Sequence, residues 1–240
     1  MHRRTFLQST IAVTPLLNWQ LVENRQPKTA ALNPMVTNAG VGGNNTVDLL
    51  ARIEKDCLAL RPELTILMVG TNDVNSKKHV HLPDYERNLR SICSKLMAVN
   101  SQVMLMTILP VYEPYLMTRH DPSFYQPEGH TARKNAMNDV IRKVAADTHS
   151  PLLDMHHIFE TVGNIGLEAS SLLKNEANSN KTDGIHPTPE GYRTMAVAVY
   201  TFLSQRQLVK NRIVCFGDSI THGDDQGRNY PAYLQKLVTA

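Results

Sequence analysis

Apolar residues along this chain follow two alternating rhythms: short unbroken runs, and longer stretches that repeat every three or four positions. Residues 35–38 and 152–154 read as short strands, and residues 64–69, 103–109 and 213–216 are the apolar runs. They are short enough for strands and too continuous for a half-wetted sheet face, so they predict strands buried on both sides. Between them, Leu49, Leu50, Ile53, Cys57 and Leu60 recur at helical spacing. So do Tyr85, Leu89, Ile92 and Leu96, then Met137, Val140, Ile141, Val144 and Ala145, then Tyr192, Met195, Ala196, Val199 and Leu203. Thr188 is placed to cap the last of these helices and Pro189 to occupy its first turn. A final helix is expected over residues 230–238, whereas 163–180 is polar and irregular. Strand alternating with helix predicts a three-layer α/β/α sandwich around a mostly parallel sheet.

The candidate chemistry sits where those strands stop. The run Ile213–Phe216 breaks at Gly217-Asp218-Ser219, and a serine just beyond a buried parallel strand lies where α/β proteins place ligands. Alone, that tripeptide equally describes a strand-to-helix turn capped by its aspartate. Asp183 and His186 stand three apart before a proline-started helix, a spacing at which a carboxylate can hold one imidazole nitrogen and leave the other free. A glycine-rich turn follows the first strand (Ala39-Gly40-Val41-Gly42-Gly43) and Gly70-Thr71-Asn72-Asp73 follows the second. In a parallel sheet all these positions converge on one edge.

Taken together, Gly217-Asp218-Ser219, Asn38-Ala39-Gly40-Val41-Gly42-Gly43, Gly70-Thr71-Asn72-Asp73 and Asp183-Gly184-Ile185-His186-Pro187 resemble the four sequence blocks of the SGNH hydrolases, also called the GDSL esterase/lipase family. The resemblance implies a flavodoxin-like sheet and a cofactor-independent esterase. It implies Ser219 as nucleophile, His186 as general base and Asp183 as the group fixing the imidazole tautomer. It also implies an oxyanion hole made by the backbone N–H groups of Ser219 and Gly43 and the side-chain amide of Asn72. The order departs from the family: the nucleophile block comes last instead of first, as in a circular permutation. Reading Val238-Thr239-Ala240 straight into Leu32-Asn33-Pro34 restores an ordinary helix-to-strand connection. The substrate expected is a small-molecule O-acyl ester, with acetyl groups on carbohydrates within the family's range. A thioesterase or lysophospholipase is the second enzyme reading. A catalytically silent binding module is the third, and the intact Ser219, Asp183, His186, Gly43 and Asn72 argue against it.

Composition narrows this picture without redirecting it. The 240 residues, 42% hydrophobic, suffice for one sizeable core, expected over residues 32–240. The net charge of +3 is scattered, with no basic stripe interleaved with aromatics, so nucleic-acid binding is not expected. Cys57, Cys93 and Cys215 read as small core residues rather than a disulfide framework. No run of 18 apolar residues exists, which excludes a transmembrane helix. Within residues 1–31, Arg3-Arg4-Thr5-Phe6-Leu7-Gln8 and the apolar stretch after it resemble a twin-arginine export signal followed by a linker. Export to the periplasm or beyond is the expectation, and a cytoplasmic location if that segment stays uncleaved. His79-Val80-His81 has a spacing metals can use but no partner cluster, so it reads as a solvated loop. Asp218 is expected to serve the turn, and His156-His157 to be structural. For Tyr112, Tyr115, Phe124 and Tyr125, lining the substrate pocket and plain packing are both open.

Overall fold

The computed structural model describes residues 32–240. Strand β1 (Met35–Gly40) leads to helix α1 (Thr46–Asp56), and β2 (Leu64–Met68) to the short α2 (Thr71–Val74) and the long α3 (Leu82–Ala98). Next come β3 (Gln102–Met106), α4 (Glu113–Leu116), α5 (His130–Asp147), β4 (Leu152–Leu153), α6 (Met155–Val162) and α7 (Glu176–Ser179). The chain closes with α8 (Pro189–Gln205), β5 (Arg212–Gly217), α9 (Ser219–His222) and α10 (Tyr230–Val238). The five strands form one sheet in the order β1-β5-β2-β3-β4, every neighbouring pair parallel.

Side-chain alternation along the strands divides the core in two. Val214 and Phe216 of β5, with Leu67, Val103 and Leu105, face the layer formed by α1, α3 and α5. Ile213 and Cys215, with Leu64, Ile66, Met104 and Met106, face α6, α8 and α10. This is the expected three-layer sandwich, and burial on both faces is why these strands read as continuous apolar runs. The three cysteines are free and buried. Among the described residues no helix is long and apolar enough to cross a membrane.

The last strand in sequence lies inside the sheet. Gly217 of β5 pairs with Gly40 of β1 on one side and Met68 of β2 on the other, so three strand ends finish level. Counted from β5, the strand order reads 2-1-3-4-5, the flavodoxin-like order, whose switch point lies between the strands here called β5 and β2. The chains on either side of that crevice continue into Ser219 and Asn72. Close approach there demands a glycine: a Cβ on Gly217 would run into the Met68 carbonyl and the Thr221 hydroxyl. At the opposite end of the sheet, Gln235 of α10 donates to the Pro34 carbonyl (3.1 Å) and accepts from the Val36 N–H (2.6 Å). The final helix is thereby fastened to the start of β1.

Several boundaries differ from expectation. Helix α1 ends at Asp56, and Leu60 lies on a 3₁₀ turn, 40% exposed, instead of continuing the buried face. Strand β3 stops at Met106, because Asn138 of α5 takes both the N–H (2.8 Å) and the carbonyl (3.2 Å) of Ile108. Asp154 is not a strand residue; it caps α6 by accepting from His157 N–H (3.1 Å). Helix α6 itself was missed in the sequence because it spans only eight residues. The irregular stretch before Asp183 contains the one-turn α7, capped reciprocally by Asn175 and Asn178. The Thr188 cap and the Pro189 first turn are as expected.

Candidate active site

Ser219 opens α9 directly after the sheet. Asp218 caps that turn, its Oδ1 accepting from Ile220 N–H at 2.9 Å, in the turn role expected for it. Across the crevice, the loop before α8 brings His186 Nε2 to 3.0 Å from Ser219 Oγ. The other ring nitrogen, Nδ1, lies 2.9 Å and 3.0 Å from the two carboxylate oxygens of Asp183. A carboxylate only accepts, so Nδ1 must carry the proton. Nε2 is then a bare lone pair facing the serine hydroxyl, which donates to it.

Asp183 is held rigidly. Its Oδ1 also accepts from the backbone N–H of Ile185 (2.9 Å) and His186 (2.8 Å). Burial alone would raise its pKa, but the bonds and charge of His186 with these backbone donors outweigh that and keep it well below the usual carboxylate range. The loop is tied to the insertion after β3 through Tyr112 N–H to Gly184 O (2.8 Å) and Arg119 to the Asp183 carbonyl (2.5 Å).

The glycine and asparagine turns meet on the far side. Asn72 Nδ2 donates to the Asn44 carbonyl at 2.9 Å, and its Oδ1 accepts from Asn75 at 3.1 Å. One amide proton of Asn72 is therefore spent holding the Gly43–Asn44 turn, and one remains. Gly43 has φ of 74°, a left-handed conformation that favours glycine. A cavity of about 50 Å³ is lined by Asn72, His186 and Ser219 together with Val111, Leu116 and His130. Gly43 is not among its lining residues; it stands next to the carbonyl that Asn72 grips.

Three contributors had no signal in the sequence. Arg52, from α1, donates to the carbonyls of Ala39 (3.0 Å) and Gly217 (2.8 Å) and to the Asn44 side chain (2.6 Å), bolting the glycine turn to β5. His130 is 2% exposed and lines the cavity; burial pushes its pKa down to about 4, so it stays neutral. Arg119 belongs to an insertion with no repeating pattern. Of the other candidates, Tyr125 is buried, Tyr112 and Tyr115 pack edge to face on each other, and Phe124 lines a separate cavity. His156 Nε2 pairs with Glu160 at 3.1 Å on α6, away from the serine pocket. Among the described residues no group of three or more metal-ligating side chains converges.

Two buried acids lie beside the site. Burial pushes Asp218 up to about 7 and Asp73 up to about 6, and one oxygen of each lacks a hydrogen-bond partner among the described residues. Because the folded pKa of Asp218 is raised, its contribution is most favourable below about pH 4, its unfolded value, and is lost as pH rises through about 7. Asp218→Asn should therefore flatten the fall in melting temperature between pH 5 and 8, as followed by calorimetry. An unchanged slope would mean that Asp218 is already ionised in the fold.

With this geometry in hand, the chain can be set beside known proteins. The GDSL-like lipase/acylhydrolase family model matches residues 17–194, well over half the chain, and stops before β5. Fold and match together make the protein a carboxylic ester hydrolase. The chain belongs to the GDSL-like lipase/acylhydrolase family. It is 26% identical over 174 residues to an acetylxylan esterase of Geobacillus stearothermophilus, covering 68% of this chain and 69% of that protein. It is 28% identical over 171 residues to the lipoprotein YqeF of Bacillus subtilis, covering 66% and 69%. A crystal structure of a catalytic mutant of an acetylxylan esterase from G. stearothermophilus superposes with a TM-score of 0.51 at 26% identity, covering 67% of this chain and 68% of that one. A GDSL-like lipase of Bacteroides thetaiotaomicron, 21% identical over 68% of this chain and 73% of its own, shares the fold with a TM-score of 0.51.

Proposed function

We propose that this protein is a serine esterase that removes small acyl groups, acetyl foremost, from the hydroxyls of carbohydrates. The observation that carries the reading is the unbroken line from Asp183 through His186 to the Ser219 hydroxyl, at 2.9 and 3.0 Å. His186 Nε2 takes the hydroxyl proton as Oγ attacks the ester carbonyl. The tetrahedral intermediate collapses to an acyl-serine, and the imidazolium returns the proton to the departing alcohol. Water then repeats the sequence and frees the acid. The developing oxyanion is held by the backbone N–H groups of Ser219 and Gly43 and the remaining amide proton of Asn72.

Asn72→Ala should lower kcat by about 10²–10³-fold with a much smaller change in KM, the usual result of removing one oxyanion donor. Because Asn72 also grips Asn44, the melting temperature of the variant is to be measured beside the kinetics. A kcat within threefold of wild type would remove Asn72 from the scheme.

The cavity at Ser219 is small, about 50 Å³, which suits a short acyl group. This favours acetyl transfer over the thioesterase and lysophospholipase readings. The acetylxylan esterases among the relatives support a carbohydrate as the alcohol. A panel of 4-nitrophenyl esters should give kcat/KM falling at least tenfold from acetate to butyrate, and further to octanoate. A rate that holds or rises with chain length would refute the acetyl preference, and failure to react with a fluorophosphonate probe would refute the serine mechanism.

The chain order is read as a circular permutation of the family's arrangement. The flavodoxin-like order counted from β5 and the Gln235 link between α10 and β1 both support this. Residues 1–31 are read as a separate export segment ahead of a single catalytic domain, 32–240. That segment lies outside the described residues. The lipoprotein among the relatives supports an envelope or extracellular location.

A further inference from the structure

A second cavity, of about 510 Å³, shares none of the serine pocket's lining residues. It falls within the range of small-molecule sites, ~300–1,000 Å³. Its lining is mixed: Leu82, Ala132, Ala136 and Met137 supply apolar surface, and His79, His81, Glu128 and Arg133 supply polar groups. His79 packs edge to face on both Phe124 (5.1 Å between ring centroids) and His81 (5.0 Å). His79 Nδ1 lies 3.0 Å from the Asp73 carbonyl, so it carries the proton and leaves Nε2 as a fixed acceptor. Burial lowers the His79 pKa, which keeps that acceptor available. Arg133 is pinned across the Phe124 ring at 5.1 Å, bonded to Glu128 (3.1 Å) and to the Gln126 carbonyl (3.1 Å). His81 makes no side-chain hydrogen bond among the described residues and is exposed.

Flat rings beside ring-borne nitrogens and a charged rim suit a ligand with an apolar face and an equator of hydroxyls, which describes a pyranose. A fatty acyl chain would leave the imidazoles and the ion pair unanswered. Nor could such a chain reach Ser219, because Tyr125 and His130, 1% and 2% exposed, fill the wall between the two cavities. That wall is thin: Phe124 to Tyr125 and Tyr125 to His130 are single ring-to-ring steps of 5.0 and 5.2 Å. Two such steps are a separation that a chain of several sugar residues can span, whereas a single short acyl group cannot.

We propose that the cavity of His79, His81, Phe124 and Arg133 is a sugar-ring subsite, binding a pyranose residue of the glycan chain at a distance from the acylated residue presented to Ser219. The inference rests on the esterase reading above and adds to it where the alcohol side of the substrate is recognised.

The test compares partially acetylated xylooligosaccharides of four or more residues with 4-nitrophenyl acetate, which has no sugar. Phe124→Ala and His81→Ala should each raise KM for the oligosaccharide about tenfold, equal to 1.4 kcal/mol of lost binding. Its kcat and both constants for 4-nitrophenyl acetate should be unchanged. Ala132→Trp, which fills the cavity from the exposed face of α5, should do the same without removing any packed side chain. Separately, unacetylated xylotetraose titrated calorimetrically into Ser219→Ala should bind, and binding should be lost when Ala132→Trp is added. Unchanged oligosaccharide KM in both Phe124→Ala and Ala132→Trp, equal losses on both substrates, or xylotetraose binding indifferent to Ala132→Trp would each overturn the subsite. A wild type that cleaves no ester would refute the esterase reading instead, and the xylotetraose titration would still decide the subsite.

Discussion

Ser219→Ala should lower kcat for 4-nitrophenyl acetate by about 10⁴–10⁶-fold, the scale on which a serine hydrolase loses its rate with its nucleophile. Among the described residues, the hydroxyl that faces the bare nitrogen of His186 is that of Ser219. The folded state should scarcely register the change. The bond lost is one between part-exposed groups, and water can replace the hydroxyl at the imidazole, so the stability change should stay within about 0.5 kcal/mol. Kinetics and a melting curve on the same preparation check both halves. Activity above a hundredth of wild type with the fold intact would show that another group attacks the ester.

Asp183→Asn should cost about 10⁴-fold in kcat, for a different reason. The asparagine keeps an oxygen for the Ile185 and His186 backbone donors, so the loop is expected to keep its shape. Its amide, turned toward the imidazole, donates where the carboxylate accepted. That drives the ring proton to Nε2, and the nitrogen facing Ser219 can no longer take a proton from it. The same substitution carries a pH signature. The folded pKa of Asp183 is held below its unfolded value, so its contribution to stability is complete above about pH 4 and is lost as pH falls toward the folded value. The variant should therefore show a flatter decline in melting temperature on the acid side, opposite in direction to the Asp218 effect near neutrality. A large loss of kcat with an unaltered acid limb would mean that Asp183 is not ionised as its partners imply.

The architecture was legible because its determinants are local or periodic. Continuous apolar runs announce strands buried on both faces, and helical repeats such as Tyr85, Leu89, Ile92 and Leu96 announce the covering layers. Where local rules competed with tertiary ones, the reading slipped. Residues 107–109 are as apolar as the strand before them, yet Asn138, some thirty residues on, draws Ile108 out of the sheet. Leu60 fits a helical repeat, but the helix ends before it.

The site divides in the same way. Ser219, Asp183, His186 and Asn72 were legible because each belongs to a short motif anchored to a strand end or a helix start, and the four motifs support one another. Arg52, Arg119 and His130 were not. Their value lies in contacts with backbone and side chains many residues away, and no spacing in the sequence encodes those contacts. His79-Val80-His81 is a loop, as read, but its two imidazoles also line the 510 Å³ cavity, because Phe124 from the insertion after β3 and Arg133 from α5 come to it.

By itself the sequence determined which motif side chains gather at one edge of a parallel sheet. Side-chain type, strand pattern and turn residues are properties of a few adjacent positions. Only the tertiary structure decided how β5, last along the chain, enters between β1 and β2, and hence that the hydroxyl meets the imidazole at 3.0 Å. Strand insertion and a hydrogen bond across a crevice are set by packing over the whole sheet, where chain order leaves no local trace.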